Sequence, residues 1–252
     1  MILNLTRRDV YGRYRGSAIG VLWSLLHPLL LLLVYTFVFG VVFKARWGTE
    51  NDSLAHFALV LFAGLMAFNL FAECINRAPG LVVSNTNYVK RVVFPLEILP
   101  WVSLGSALFH YLASLSVWLA FYTLIIGLPS VTILLLPLIL LPMILMVMGL
   151  SWLLASLGVY LRDVSFMIGI ATTVLLFLSP VFYPASAIPA EYRPLLAFNP
   201  MAVAIEQARA VMLLGQVPPA SHLAAQFAVS SLIAWLGFGW FQKTRKGFAD
   251  VI

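Results

Sequence analysis

No Asp, Glu, Lys or Arg occurs anywhere between Ile98 and Leu161. A helix needs about 20 apolar residues to cross a hydrocarbon core of roughly 30 Å. The uncharged run is too long for one crossing. Within it, Gly127-Leu128-Pro129-Ser130 supplies a turn. That break predicts two spans, at 98–126 and 131–161. In lipid the backbone must satisfy its own hydrogen bonds, so the spans are predicted as helices.

The rest of the chain repeats the pattern. Apolar stretches at 21–43, 54–71, 164–182 and 223–241 bring the expected total to six spans. Only 10% of the residues are charged and the mean hydropathy is +1.00, whereas a soluble domain carries about 25% charged residues. The chain is therefore read as one all-α integral membrane domain, residues 21–252, preceded by a segment at 1–20. The basic residues Arg7, Arg8, Arg13 and Arg15 spread too widely for a cleaved leader. No A-x-A site follows the first apolar run, so that span is expected to stay. The single cysteine, Cys74, excludes an intramolecular disulfide and reads as a packing residue.

Six spans place both termini on one side, and lysine and arginine choose which side. With the termini cytoplasmic, eleven of the fifteen basic residues and five of the nine acidic ones fall on the inner face. The whole formal charge of +6 then lies there. The C-terminal cluster Lys243-Thr244-Arg245-Lys246 is accounted for by orientation and anionic lipid heads. Met1 to Gly20 mixes apolar and basic residues, with Ile2, Leu5, Val10 and Tyr14 on a rough common face. A short amphipathic helix in the inner interface fits. The polar, basic stretch Arg77–Pro100 lies between two apolar spans and is placed to touch a soluble partner.

Between the fifth and sixth spans, Pro184, Pro189, Pro194 and Pro200 interrupt an apolar sequence on the outer side. Asn199 can cap a helix that has Pro200 at its first position, and Gly215 can end it. At about 21 Å such a helix is too short to cross. Glu206 and Arg209 are spaced to pair on one face. The section reads as re-entrant or interfacial structure, or as an ordinary outer loop carrying one surface helix.

No catalytic constellation stands out, and the four histidines show no metal-ligand spacing. His110 lies deep in the third span, where an ionisable side chain is a functional candidate. It shares a helix face with Ser103, Ser106 and Ser114, which suits interhelical hydrogen bonding better than proton transfer. There is no GxxxxGK[ST] loop, so any ATPase is another polypeptide and ATP and Mg would sit there, with no cofactor in this chain. Trp23, Trp47, Trp101, Trp152 and Trp240 fall near span ends, as in an interfacial belt. Deeper aromatics can pack against the C–H faces of sugars. The candidates for a translocation path are Tyr35, Phe39, Phe62, Phe68 and His110.

These segments resemble the ABC-2 type permeases that export lipid-linked polysaccharides such as O-antigen, capsule and teichoic acid. LTRRDVYGRYRGSAIGVLWSLLHPLL is similar to the family's opening pattern, with Gly20, Trp23 and Pro28. SNTNYVKRVVFPLEILP is similar to its cytoplasmic loop, although Leu96 stands where a basic residue is common. YLRDV, with Arg162-Asp163, resembles a second cytoplasmic loop. SPVFYPASAIPAEYRPLLAFNPMAVAIEQAR resembles the outer re-entrant section, with Ser179, Pro180, Tyr183, Asn199, Pro200, Glu206 and Arg209.

The resemblance implies a homodimer in the bacterial inner membrane, worked by two separate ATP-binding cassette subunits. The ATPases would meet the N-terminal segment and the residues Ser84, Asn85, Asn87, Tyr88, Lys90, Arg91, Phe94 and Pro95. The cargo would be an undecaprenyl-linked glycan, with no nucleic acid involved. Arg7, Arg8, Arg13 and Arg15 could hold its pyrophosphate by paired guanidinium bonds, or simply contact lipid heads. Two other readings stay open: an exporter of a drug or lipid on the same fold, and a membrane-embedded transferase acting on a polyprenyl carrier. The second expects acids converging at one membrane face, whereas the inner acids here are spread one to a loop.

Overall fold

The computed structural model describes residues 1–44, 47, 53–89, 94–196 and 199–251, and among them the secondary structure is helical with no strand. The main helices are α1 (Ile2–Tyr14), α2 (Trp23–Tyr35), α3 (Leu54–Arg77), α4 (Leu99–Ile125), α5 (Leu136–Tyr160), α6 (Val164–Leu178), α7 (Pro200–Met212) and α8 (Ala220–Thr244). Gly16 (φ 86°) and Gly20 (φ 58°) turn the chain from α1 into the first span through conformations that L side chains resist. Pro28 sits inside α2, which continues as a π-helix over Thr36–Val42.

Among the described residues, five helical stretches are long and apolar enough to cross a membrane: Gly20–Val42, Leu54–Gly80, Leu96–Ile125, Val131–Tyr160 and Ala220–Val251. The expected fifth span differs. Helix α6 has 15 residues, about 22 Å, and stops at Leu178 rather than Phe182. The residue before a proline is pushed out of the helical region, and Ser179, before Pro180, is extended at ψ 149°. The last helix runs further than its hydropathy predicts, to Thr244, because polar residues continue a helix readily once it leaves the apolar layer.

Helix α3 is the centre of the subunit and packs against α4, α5, α6 and α7. Beyond Leu54, the exposed residues along it are Asn69 and Asn76. Trp118 is fully buried on α4 and donates its indole N–H to the Leu59 carbonyl at 3.0 Å. Trp152 likewise turns inward and donates to the Glu97 carbonyl at 3.0 Å. The partners α5 and α8 approach until Gly149 and Gly237 face backbone to backbone; a methyl on either would overlap the other helix. Small residues are the usual means of such close packing in a membrane, where lipid is as apolar as leucine. Leu30 and Leu33 of α2, Phe166 and Ile170 of α6, and Trp235 of α8 point outward and exposed.

Gly237→Val is expected to cost about 1–3 kcal/mol through forced separation of α5 and α8. Gly239→Val, which meets open space, should change little. Thermal unfolding of the two variants in the same detergent checks the contrast.

Candidate functional site: a charged clasp at the N-terminal helix

Three helices each bring two polar residues one turn apart to the same place. They are Asp9 and Arg13 on α1, Glu73 and Arg77 on α3, and Ser106 and His110 on α4. Arg77 donates through Nη2 to both carboxylate oxygens of Asp9 at 2.8 Å, and the Ser106 hydroxyl donates to the same carboxylate at 2.6 Å. Arg13 pairs with Glu73 at 2.8 Å. The Nδ1 of His110 lies 2.9 Å from Glu73, and its Nε2 lies 2.9 Å from the Tyr14 hydroxyl. The carboxylate thus fixes the imidazole proton on Nδ1 and leaves Nε2 to face Tyr14. Thr6 closes the gap beside Gly105, where a methyl would collide with it.

Burial opposes the charge on Asp9, but the Ser106 hydroxyl and the Arg77 guanidinium outweigh it and hold its pKa below the ordinary 3.8. A lowered carboxylate pKa gives stability that is present at neutral pH and lost as pH falls through the lowered value. The Asp9 half of the clasp is therefore closed throughout the physiological range.

The other side of α1 faces the cytoplasmic loop of the sequence reading. Arg8 donates to the Tyr88 hydroxyl at 2.5 Å and its guanidinium stands 5.9 Å from the ring centre. Tyr88 stacks on Phe94 with centroids 4.1 Å apart. Ser84 and Asn85 turn back onto the Gly80 and Leu81 carbonyls at 2.7 and 2.9 Å. Asn87 is exposed on the short turn Thr86–Val89, and Pro95 is extended before the 3₁₀ turn Leu96–Ile98. Lys90 and Arg91 lie outside the described residues. Arg245, beyond α8, reaches the far end of the loop through Glu97 at 2.8 Å.

The four N-terminal arginines therefore divide. Arg13 and Arg8 are held by Glu73 and Tyr88. Arg7 stands 5.5 Å from the Tyr11 ring, and Arg15 is exposed. Of the expected amphipathic face, Val10 is buried and Leu5 and Tyr14 half-buried, while Ile2 is exposed.

At the opposite end of α3, Asn199 caps α7 as the sequence predicts, its Oδ1 accepting from the Met201 and Ala202 amides. Its Nδ2 donates to the Ser179 hydroxyl at 3.0 Å. Gly215 follows α7 with φ 64°. Glu206 and Arg209 do pair, at 3.3 Å, but Arg209 is 4% exposed and points inward. It donates to the Val60 carbonyl at 3.0 Å, to Val181 at 2.8 Å and to Pro180, with its charge 4.5 Å over the Trp47 ring. Gly64 leaves the room this guanidinium occupies. Tyr183 bonds the Phe177 carbonyl at 2.8 Å.

Tyr35 and Phe39 meet Phe182, with centroids 5.3 and 4.5 Å away. Phe62 and Phe68 are core residues of the subunit at 2% and 3% exposure. Sequence reasoning missed the clasp. It counted Asp9 and Glu73 only as inner acids, although the spacings Asp9/Arg13 and Glu73/Arg77 already place opposite charges one turn apart.

Residues 2–213 match the ABC-2 type transporter family. Over its whole length the chain is 28% identical to the O-antigen export system permease protein RfbA of Myxococcus xanthus, covering 95% of that protein. Two Klebsiella pneumoniae proteins of the same name are 23% and 22% identical, again with the whole chain aligned and 95% of each relative covered.

Asp9→Ala leaves Arg77 and Ser106 without their acceptor and is expected to loosen α1 by about 1–3 kcal/mol. Maleimide labelling of Thr6→Cys should then rise severalfold, with Cys74 buried and silent. Arg209→Leu strips the Val60, Pro180 and Val181 carbonyls of their donor. A loss of about 3 kcal/mol or more is expected in thermal unfolding, with Arg209→Lys recovering only part of it because one ammonium cannot match the guanidinium fork.

Proposed function

The chain belongs to the ABC-2 type transporter family, and from that premise we propose that it is the membrane permease subunit of an ATP-driven exporter of undecaprenyl-linked polysaccharide. The protein is a multi-pass membrane protein by family and by its apolar helices. In the proposed arrangement α6 and the turn after it make a sixth crossing, both termini are cytoplasmic, and α7 is re-entrant at the outer side of a bacterial inner membrane. Two copies form the permease, and two ATP-binding cassette subunits carry the ATP and Mg. The relatives' O-antigen export names support the cargo class.

One observation carries the coupling half of this reading: α1 is clasped to α3 and α4 on one face and bonded to the Tyr88 turn on the other. A push on the segment Ser84–Pro95 is therefore transmitted to α1 through Arg8, and from α1 to two spans through charge pairs. Ser84, Asn85, Asn87, Tyr88, Lys90, Arg91, Phe94 and Pro95 would form the ATPase-facing surface. Arg7 and Arg15 are the arginines left to meet lipid or carrier head groups. Tyr35 and Phe39 would line the glycan route near the outer side.

The purified chain alone should hydrolyse no ATP, and lipid-linked glycan should enter proteoliposomes only when an ATPase partner is present. Lys90→Glu/Arg91→Glu should weaken co-purification of that partner by roughly tenfold, about 1.4 kcal/mol. Robust hydrolysis by the lone chain would overturn the division of labour, and unchanged co-purification would remove the loop from the contact.

A further inference from the structure

Between α1, α2, α3 and α4 lies a cavity of about 430 Å³. That volume falls within the roughly 300–1,000 Å³ of small-ligand sites. Its floor is apolar, formed by Met66, Leu70 and Ala107. Its walls are not. Asn69, Glu73 and Asn76 follow one another along the α3 face that meets it, and Trp23 and His27 stand one turn apart on α2. The Asn69 side chain is exposed on a mostly buried helix and has no partner among the described residues. Trp23 is 40% exposed.

The chemistry of these walls selects a ligand class. Arg13, which lines the cavity, is already 2.8 Å from Glu73, so the pair is electrically neutral and the carboxylate would repel a phosphate placed beside it. An alkyl chain fits no better, because it would leave the Asn69 amide, the Asn76 amide hydrogens and the His27 imidazole dry, and unpaired polar groups cost free energy. A neutral hydroxylated ring satisfies both conditions. Asn69 offers two donors and an acceptor, Asn76 offers its two amide hydrogens while its Oδ1 accepts from the Thr172 hydroxyl at 2.9 Å, Glu73 offers further lone pairs, and an indole face packs on C–H groups. A second hollow of about 380 Å³, lined by Arg8, Tyr11 and Arg15, shares Tyr14 with it.

We infer that the cavity beneath α1 is a sugar site, which takes the first sugar of the carrier-linked glycan while the carrier's phosphates lie across Tyr14 beside Arg15. This inference rests on the export reading and adds to it a place where the permease itself recognises cargo.

The test uses the full chain in lipid nanodiscs and two probes, a short-chain prenyl pyrophosphate bearing one hexose and the same compound without the sugar. Asn69→Leu and Trp23→Leu should each weaken binding of the hexosyl probe by about tenfold, as expected for a lost ligand contact. The sugarless probe should change by less than about twofold. Equal weakening of both probes would mean that the cavity reads the carrier, and no change in either would mean that it holds only water; both overturn the inference. A second readout spares the cavity's polar wall on α3: in His27→Cys, free methyl hexoside should slow alkylation of the new thiol, and an unaltered rate counts against a sugar site. Wild-type export into proteoliposomes separates the two claims. Glycan export with a sugar-blind cavity sinks this inference alone, whereas absence of any glycan export sinks the reading beneath it.

Discussion

Glu73 and Arg77 stand one turn apart on a helix whose other neighbours are almost all apolar, and the placement of α1 follows from them. A charge left alone at the edge of a hydrocarbon layer is expensive. Their mutual distance, 3.9 Å at the closest, is too long for a hydrogen bond. Each instead takes a stronger partner from α1, Asp9 for Arg77 and Arg13 for Glu73. The N-terminal helix is thereby held in one rotation and one register, since a shift of one residue would point both partners away. Ser106 and His110 then complete the coordination from α4. Amphipathic partition alone would leave α1 free to slide on a lipid surface; paired charges on a fixed helix do not.

The outer end of α3 meets the same constraint with the opposite solution. Helix α6 ends early, and the Pro180 and Val181 carbonyls are left without intrahelical donors. Arg209 supplies them, and its charge is shared among three carbonyls, Glu206 and the face of Trp47. A single cation thus ties α7 to α3 and to the α6 turn. The two ends of α3 are fastened by polar groups, while its middle is packed by apolar ones. Polar contacts of this kind are directional, so they define positions that a greasy interface would leave loose.

The long helices α4 and α5 were legible because hydropathy is a local property: a long uncharged run and one Gly-Leu-Pro-Ser break were enough to place them. The start of α7 was legible for a similar reason, since Asn199-Pro200 is a cap that acts on its own next three residues. The Glu206–Arg209 spacing also showed a pair correctly. Where that arginine points was not legible, because its main acceptor, Val60, is 149 residues away in sequence. The clasp was hidden for the same reason. His110 and its serine face could be recognised on one helix, but Glu73 and Tyr14 become its neighbours only after three helices have packed. The early stop of α6 could have been foreseen from Ser179-Pro180, a local signal that the apolar count overrode.

The division of the N-terminal arginines then follows from geometry and not from charge count. Four like charges on a short N-terminal segment would, in isolation, serve equally as lipid anchors. Folding removes that equivalence. Arg13 is drawn to Glu73 because the carboxylate lies in a half-buried site where attraction is less screened. Arg8 is drawn outward to Tyr88 because the loop passes on that side. What remains for anionic ligands is Arg15 at the turn and Arg7 on the open face, on either side of the residues that hold the helix down. In the export reading this arrangement separates two tasks within the N-terminal segment: Arg8 and Arg13 link the loop to the spans, and Arg7 and Arg15 meet the membrane.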